Sequence, residues 1–175
     1  MAGSGKSTIG ELVAAKLSCE FISVGSWSRE FAKHEFGMNI NEFQDYCSKH
    51  PEIDLQIDAQ MSKECRKKTH AVIDYRLGFH FIDDAFHIFL KVSEETAFNR
   101  INNARRTNEK TGRSDLNNRN REMQKRFLKQ YKVDVFDPAN YHLIIDTELK
   151  TPLEIVSTII SESQLYEKQL KLKKQ

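Results

Sequence analysis

Three residues near the start of the chain, Gly5-Lys6-Ser7, fill the last required places of the phosphate-binding pattern G-x-x-x-x-G-K-[ST]. The chemistry that such a loop offers is neutralisation of a polyphosphate. Gly3, Ser4 and Gly5 can aim backbone N–H groups at phosphate oxygens. Lys6 would reach the β- and γ-phosphates of ATP, the Ser7 hydroxyl would help to hold Mg²⁺, and Thr8 completes the run. The first glycine of the pattern belongs one residue before Met1, and the apolar strand that feeds such a loop has no counterpart in front of it. Met1 is therefore expected to be an internal methionine. A glycine codon should lie directly upstream, preceded by about five apolar or β-branched residues. Without that strand the chain should be poorly stable and weak in ATP binding; a degenerate, truncated paralogue is the alternative.

Phosphoryl transfer needs charge stabilisation and in-line positioning more than a reactive side chain, so carboxylates and arginines are the next residues to locate. Asp74 ends the apolar run Ala71-Val72-Ile73 and suits the acidic partner of a Mg²⁺ shell; pairing with Arg76 is the plainer reading. Arg29 and Arg76 follow two candidate strands, and a guanidinium fork matches an acceptor's monophosphate in two bonds. Arg100, Arg105, Arg106, Arg119, Arg121 and Arg126 crowd a later stretch. Arg119 and Arg126 are seven apart, on one face of a helix. Such arginines can close over a migrating phosphoryl group as part of a lid, although several would be ordinary surface residues.

These residues need a scaffold, and the hydrophobic pattern supplies one. Ile9, Leu12, Val13 and Leu17 recur at helical spacing directly behind the loop, which points the helix dipole at the loop's ligand. Phe21–Val24, ended by Gly25, reads as a strand, with helices over Trp27–Phe36 and Asn39–Ser48 and another opening on Pro51. Strands follow at Ala71–Asp74, Phe86–Leu90 and Leu143–Asp146. Thr151, Pro152 and Glu154 form a capping box for a last helix, which should fray after Tyr166. Strands separated by helices predict an α/β fold, the three-layer P-loop NTPase arrangement. Its parallel sheet should run in the order 2-3-1-4-5, with the first, central strand missing. The whole chain reads as a single domain with two oversized helical insertions, about 26–70 for an acceptor and about 93–140 for an arginine-rich lid.

Composition narrows the class. At 175 residues, 39% hydrophobic and 30% charged, the chain suits one globular domain. No apolar run is long enough for a membrane helix, and the cytoplasm is the expected location. Cys19, Cys47 and Cys65 are too few and too widely spaced for a disulfide framework, and the six histidines lack zinc-site spacing. The net charge is only +2, yet residues 100–132 carry eleven Lys or Arg against three acids. Such a field steers polyanions. A nucleic-acid interface is disfavoured, because only Phe127 and Tyr131 are placed to stack on bases. Asn-Lys-x-Asp and Asp-x-x-Gly motifs are absent, which disfavours a GTPase.

From Gly3 to about Ser161 the order of features resembles the cytidylate kinase family, most of all its shorter archaeal-type branch. The loop apart, the resemblance is carried by Ser23-Val24-Gly25 with Arg29, His50-Pro51-Glu52-Ile53-Asp54, Ile57-Asp58, and Val72-Ile73-Asp74 with Arg76-Leu77. Later come Arg126-Phe127, Tyr131, Asp134, Asp137, Tyr141 and Leu143–Thr147. The resemblance implies ATP- and Mg²⁺-dependent phosphorylation of CMP or dCMP by a monomer. It places Ser23, Gly25, Arg29 and Arg76 around the nucleoside monophosphate and Arg105, Arg119 and Arg126 on lid and substrate phosphates. Two positions depart from the family pattern. Ser26 replaces a frequent Asp, and Asp74-Tyr75 replaces the usual Glu-Gly before the arginine. A kinase for another small acceptor is the alternative.

Overall fold

Four short apolar runs become strands, and they pair two by two. The computed structural model describes residues 3–103 and 113–173, apart from the side chains of residues 113–116 and 119. Strand β1 (Glu20–Ser23) lies parallel to β2 (Ala71–Asp74), with Ser23 opposite Asp74. Strand β3 (Ile88–Lys91) lies parallel to β4 (Leu143–Asp146), with Lys91 opposite Asp146. These are the 2-3 and 4-5 neighbours of the order predicted from sequence, and among the described residues they form two separate two-stranded sheets. The helices between them are α1 (Lys6–Leu17), α2 (Val24–Phe36), α3 (Ile40–Lys49), α4 (Pro51–Arg66) and the one-turn α5 (Gly78–Phe81). After β3 come α6 (Glu94–Asn103), α7 (Arg113–Tyr131) and, beyond β4, α8 (Pro152–Lys173).

The chain divides into two compact units. One comprises Met1–Val13 with Asp84–Gln175, the other Ala14–Asp83. In the second unit, α2 and α3 form a helical hairpin that packs through aromatic rings. Phe36 meets Phe43 at 5.2 Å and Tyr46 at 5.5 Å, and Trp27 stacks on Phe31 at 4.9 Å. The hairpin turns at Gly37, whose φ of 65° places it in the left-handed region. There the N–H groups of Gly37 and Met38 close on the carbonyls of Lys33 and Ala32, which ends α2. Asn39 then opens α3 through a capping box with Glu42.

In the first unit, β3 and β4 supply Leu90 and Ile145 to the core, α8 supplies Ile155, Val156 and Ile159, and α7 supplies Met123 and Phe127. A turn rich in side-chain bonds returns the chain from α7 to β4. Asp134 accepts from Gln124 at 2.9 and 3.0 Å and from the N–H of Phe136 at 2.9 Å. The hydroxyl of Tyr141 donates to the carbonyl of Val135 at 2.7 Å. Burial, aided by Asp134, pushes the Tyr141 phenol up to about 12. Asp134, Asp137 and Tyr141, which carried part of the family resemblance, thus build this turn; Asp137 caps the short 3₁₀ helix Pro138–Asn140.

Several boundaries differ from expectation, and two of them have a visible cause. The first strand stops at Ser23, because the Ser23 hydroxyl accepts the Ser26 N–H at 3.2 Å and starts α2 there. Gly25 therefore lies inside a first helical turn and does not end the strand. The third strand starts at Ile88, since the N–H of His87 is taken by the His142 ring at 2.9 Å. Finally, α8 stays helical to Lys173, although every described residue after Tyr166 is exposed. Among the described residues no helix is long and apolar enough to cross a membrane.

The cap predicted for the last helix forms in full. The Glu154 carboxylate accepts from the Thr151 N–H at 2.7 Å, and Thr151 Oγ1 accepts from the Glu154 N–H at 3.3 Å. Replacing Thr151 with Ala should cost about 1 kcal/mol. In a chain of this size that lowers the melting temperature by about 2–4 °C in a thermal unfolding scan; an unchanged midpoint would contradict the role given to the cap.

Candidate active site

The candidate phosphate loop takes its shape from two glycines that no other residue replaces without strain. Gly3 has φ +76° and Gly5 φ +86°, with the buried Ser4 between them. Alternating left- and right-handed residues turn successive N–H groups to one side, the geometry that cradles an anion. Helix α1 begins at once with Lys6 and Ser7, and its first turn contains no acidic residue. The helix dipole and Lys6 therefore add their positive potential at one point with no carboxylate in that turn to offset it, which suits a polyphosphate. Lys6 and Ser7 are half-buried and Thr8 is exposed.

Behind the loop stands α6. A Cβ built on Gly3 would lie 2.6 Å from the carbonyl oxygen of Ala97, and Ala97 itself is fully buried. Helix α6 is fixed at both ends by the segment that follows β4. At its start, Glu148 accepts from the Ser93 N–H at 2.9 Å, from the Ser93 hydroxyl at 2.8 Å and from the Thr96 hydroxyl. These bonds hold the Glu148 carboxyl down at about 2. At its end, Arg100 donates to the hydroxyl of Thr147 at 3.0 Å and to its carbonyl at 2.7 Å. Thr147 has no exposed surface and ties back to the Lys91 carbonyl at 3.0 Å. Arg100, grouped with the lid arginines on sequence, is thus a clamp between α6 and the end of β4.

The other arginines expected in a lid are placed only in part. Arg105 and Arg106 lie outside the described residues. Arg119 and Arg126 fall on the one continuous helix α7, two turns apart as the spacing predicted, with Arg119 placed by its backbone alone. The Arg126 guanidinium lies 5.2 Å from the ring centroid of Phe127, whose burial anchors that turn. Asn117 ties α7 to the first turn of α6 through Glu94 at 2.7 Å.

The residues expected around an acceptor belong to the second unit. Ser23 and Asp74 end neighbouring parallel strands and lie opposite one another. Arg29 reaches back over the first turn of α2, where Nη2 donates to Ser26 Oγ at 2.8 Å and Nη1 passes Gly25. Ser26, in the place of a frequent Asp, is therefore the residue that orients Arg29. Ser23, Gly25 and Arg29 thus come together on one helix start, and Asp74 and Arg76 on the adjoining strand end. Among the described residues no group of three or more His, Cys, Asp or Glu could hold a metal by itself.

The sequence pattern does not point to Ala97, Ser93, Thr96 or Glu148 as site residues, and it marks Thr147 only through the family resemblance. The Ser93-Glu94-Glu95-Thr96 run before an apolar helical pattern was a readable start signal. The distant partner, Glu148, gives no local sign.

Known proteins resemble this chain in sequence and in fold. The model of the "Cytidylate kinase-like family" matches residues 1–149. A cytidylate kinase of Pyrococcus abyssi is 34% identical over 173 residues, covering 96% of this chain and 93% of its own. An S-adenosylmethionine-dependent nucleotide dehydratase of Lacinutrix mariniflava is 47% identical over 163 residues, which are 93% of this chain but 34% of that protein. The chain thus spans about a third of that relative's length. In fold, a shikimate kinase of Bacteroides thetaiotaomicron superposes with a TM-score of 0.58 at 18% identity, covering 94% of this chain and 93% of that one.

Two outcomes follow. Gly3→Ala meets both a disallowed φ and the Ala97 backbone, whereas Gly5→Ala meets only the φ, its Cβ being 3.9 Å from Ile9. ATP affinity, measured by calorimetry, should fall about 30-fold or more for Gly3→Ala and about tenfold for Gly5→Ala; equal losses would contradict the bracing by α6. Because the folded pKa of Glu148 is depressed, the stability that it contributes is present above the usual carboxylate range. It disappears as the pH falls through about 2. The stability gap between wild type and Glu148→Gln in denaturant titrations should therefore close on acidification, and a gap independent of pH would contradict it.

Proposed function

The chain belongs to the cytidylate kinase-like family, and we propose that it transfers the γ-phosphoryl group of ATP to a nucleoside monophosphate, CMP or dCMP. The observation that carries this reading is the loop with left-handed Gly3 and Gly5 opening directly onto Lys6 and Ser7. Its N–H groups and Lys6 would bind the donor's phosphates. Ser7 and Asp74 would each offer an oxygen to Mg²⁺, which when bound neutralises phosphate charge. Arg29 and Arg76 would hold the acceptor's phosphate, one oxygen of which displaces ADP from the γ-phosphorus in line. Arg105, Arg119 and Arg126 would meet the charge that spreads over the transferred group. The protein would act as a cytoplasmic monomer.

A second reading concerns the use made of the product. The 47% identity to a stretch of a nucleotide dehydratase favours it. We infer that this chain makes the phosphorylated nucleotide on which such a dehydratase acts. Adding the chain with ATP and CMP to a dehydratase of that type should then supply its substrate.

The test is ADP formation by the full chain with ATP, Mg²⁺ and a panel of CMP, dCMP, UMP, AMP and GMP. Turnover should be greatest with CMP or dCMP, and Lys6→Ala should lower it by about 100-fold or more. No ADP formation above background with any monophosphate would overturn the reading.

A further inference from the structure

Tyr75 is a bulky residue directly before Arg76, the arginine proposed for the acceptor's phosphate. Its bulk does not project freely. The phenol donates to Asp58 Oδ1 on α4 at 3.1 Å, and Asp58 is a buried carboxylate. The ring lies parallel to Phe81, at an interplanar angle of 5° and a centroid distance of 6.0 Å. Phe81 is itself held, because Arg66 Nε donates to its carbonyl at 2.5 Å. The Tyr75 carbonyl accepts the Gly78 N–H at 3.2 Å, which closes a turn with Arg76 and Leu77 at its centre. Leu77 is 1% exposed. Arg76 thus sits between two neighbours whose side chains are both anchored, one in the core and one on α4.

We propose that Tyr75, through its bond to Asp58, is a positioning residue that sets the place of Arg76 for the acceptor's phosphate. The proposal rests on the reading of this chain as a nucleoside monophosphate kinase. A glycine at position 75 would remove the side-chain tie from this turn to α4. The tyrosine couples it instead to α4, the helix that opens on the Pro51-Glu52-Ile53-Asp54 motif. An arginine fork binds a phosphate well only when its plane is preset, since each disordered rotamer-rich side chain must otherwise be fixed on binding. The hydroxyl–carboxylate bond holds the turn that carries Arg76, and charge-assisted bonds of this kind are the stronger ones.

The effect should fall on the acceptor alone. Tyr75→Phe keeps the ring on Phe81 and loses only the hydroxyl. It should raise the KM for CMP about tenfold while leaving the KM for ATP within about twofold. Asp58→Ala should do the same. Asp58→Asn keeps an oxygen that can accept and should restore most of the loss. Because the two residues act through one bond, the Tyr75→Phe, Asp58→Ala double variant should be no worse than the poorer single variant. An active wild type whose Tyr75→Phe variant keeps its CMP KM, or loses ATP and CMP binding alike, would overturn this proposal alone. A wild type inactive on every monophosphate would overturn it together with the kinase reading.

Discussion

No methyl group fits between Gly3 and the carbonyl of Ala97. That close approach fixes the phosphate loop to α6, and most of what was found in the first unit keeps α6 where it is. Glu148 holds its start and Arg100 with Thr147 its end. A loop made of small residues has little surface to bury and cannot order itself by its own contacts. Its alternating backbone is costly for any residue but glycine, so the shape has to be imposed from behind. The brace that does this is polar and lies at the strand ends, where a shift in α6 would be felt by every N–H of the loop.

The arginines show how charge is shared between structure and chemistry. A cationic stretch of this density invites the assumption that all of it faces a ligand. Arg100 instead spends both terminal guanidinium nitrogens on Thr147, and Arg29 is steadied by Ser26. Arg126 lies against the Phe127 ring. A side chain already held in place loses less entropy when it meets a phosphate, so these contacts are compatible with function. Tyr75 and Asp58 extend the same logic to Arg76.

Much of the fold was legible from local pattern. Ala71–Asp74 and Leu143–Asp146 were read to the residue because short apolar runs ending on a carboxylate offer few alternatives. Thr151, Pro152 and Glu154 fixed the start of α8 because a capping box is a bond between residues three apart. The pairing of the strands followed from the loop motif and the parallel order that it implies. What escaped was long-range or decided by a competing bond. Ser23 could extend a strand or cap a helix, and its hydroxyl chose the cap. Glu148 acts on Ser93 and Thr96, some fifty positions away in sequence, and nothing in its neighbours announces that. The division into two units was also invisible, since no linker composition marks position 13 or 83.

The central claim is that the loop and its brace carry a phosphoryl group from donor to acceptor rather than simply holding a nucleotide. Following the phosphoryl group itself tests this most directly. In a single turnover with ATP labelled in its γ-phosphate and excess CMP, the account predicts that the label appears in the β-position of CDP as ADP forms. Label recovered only in inorganic phosphate, or left in ATP that the protein binds without turnover, would contradict it.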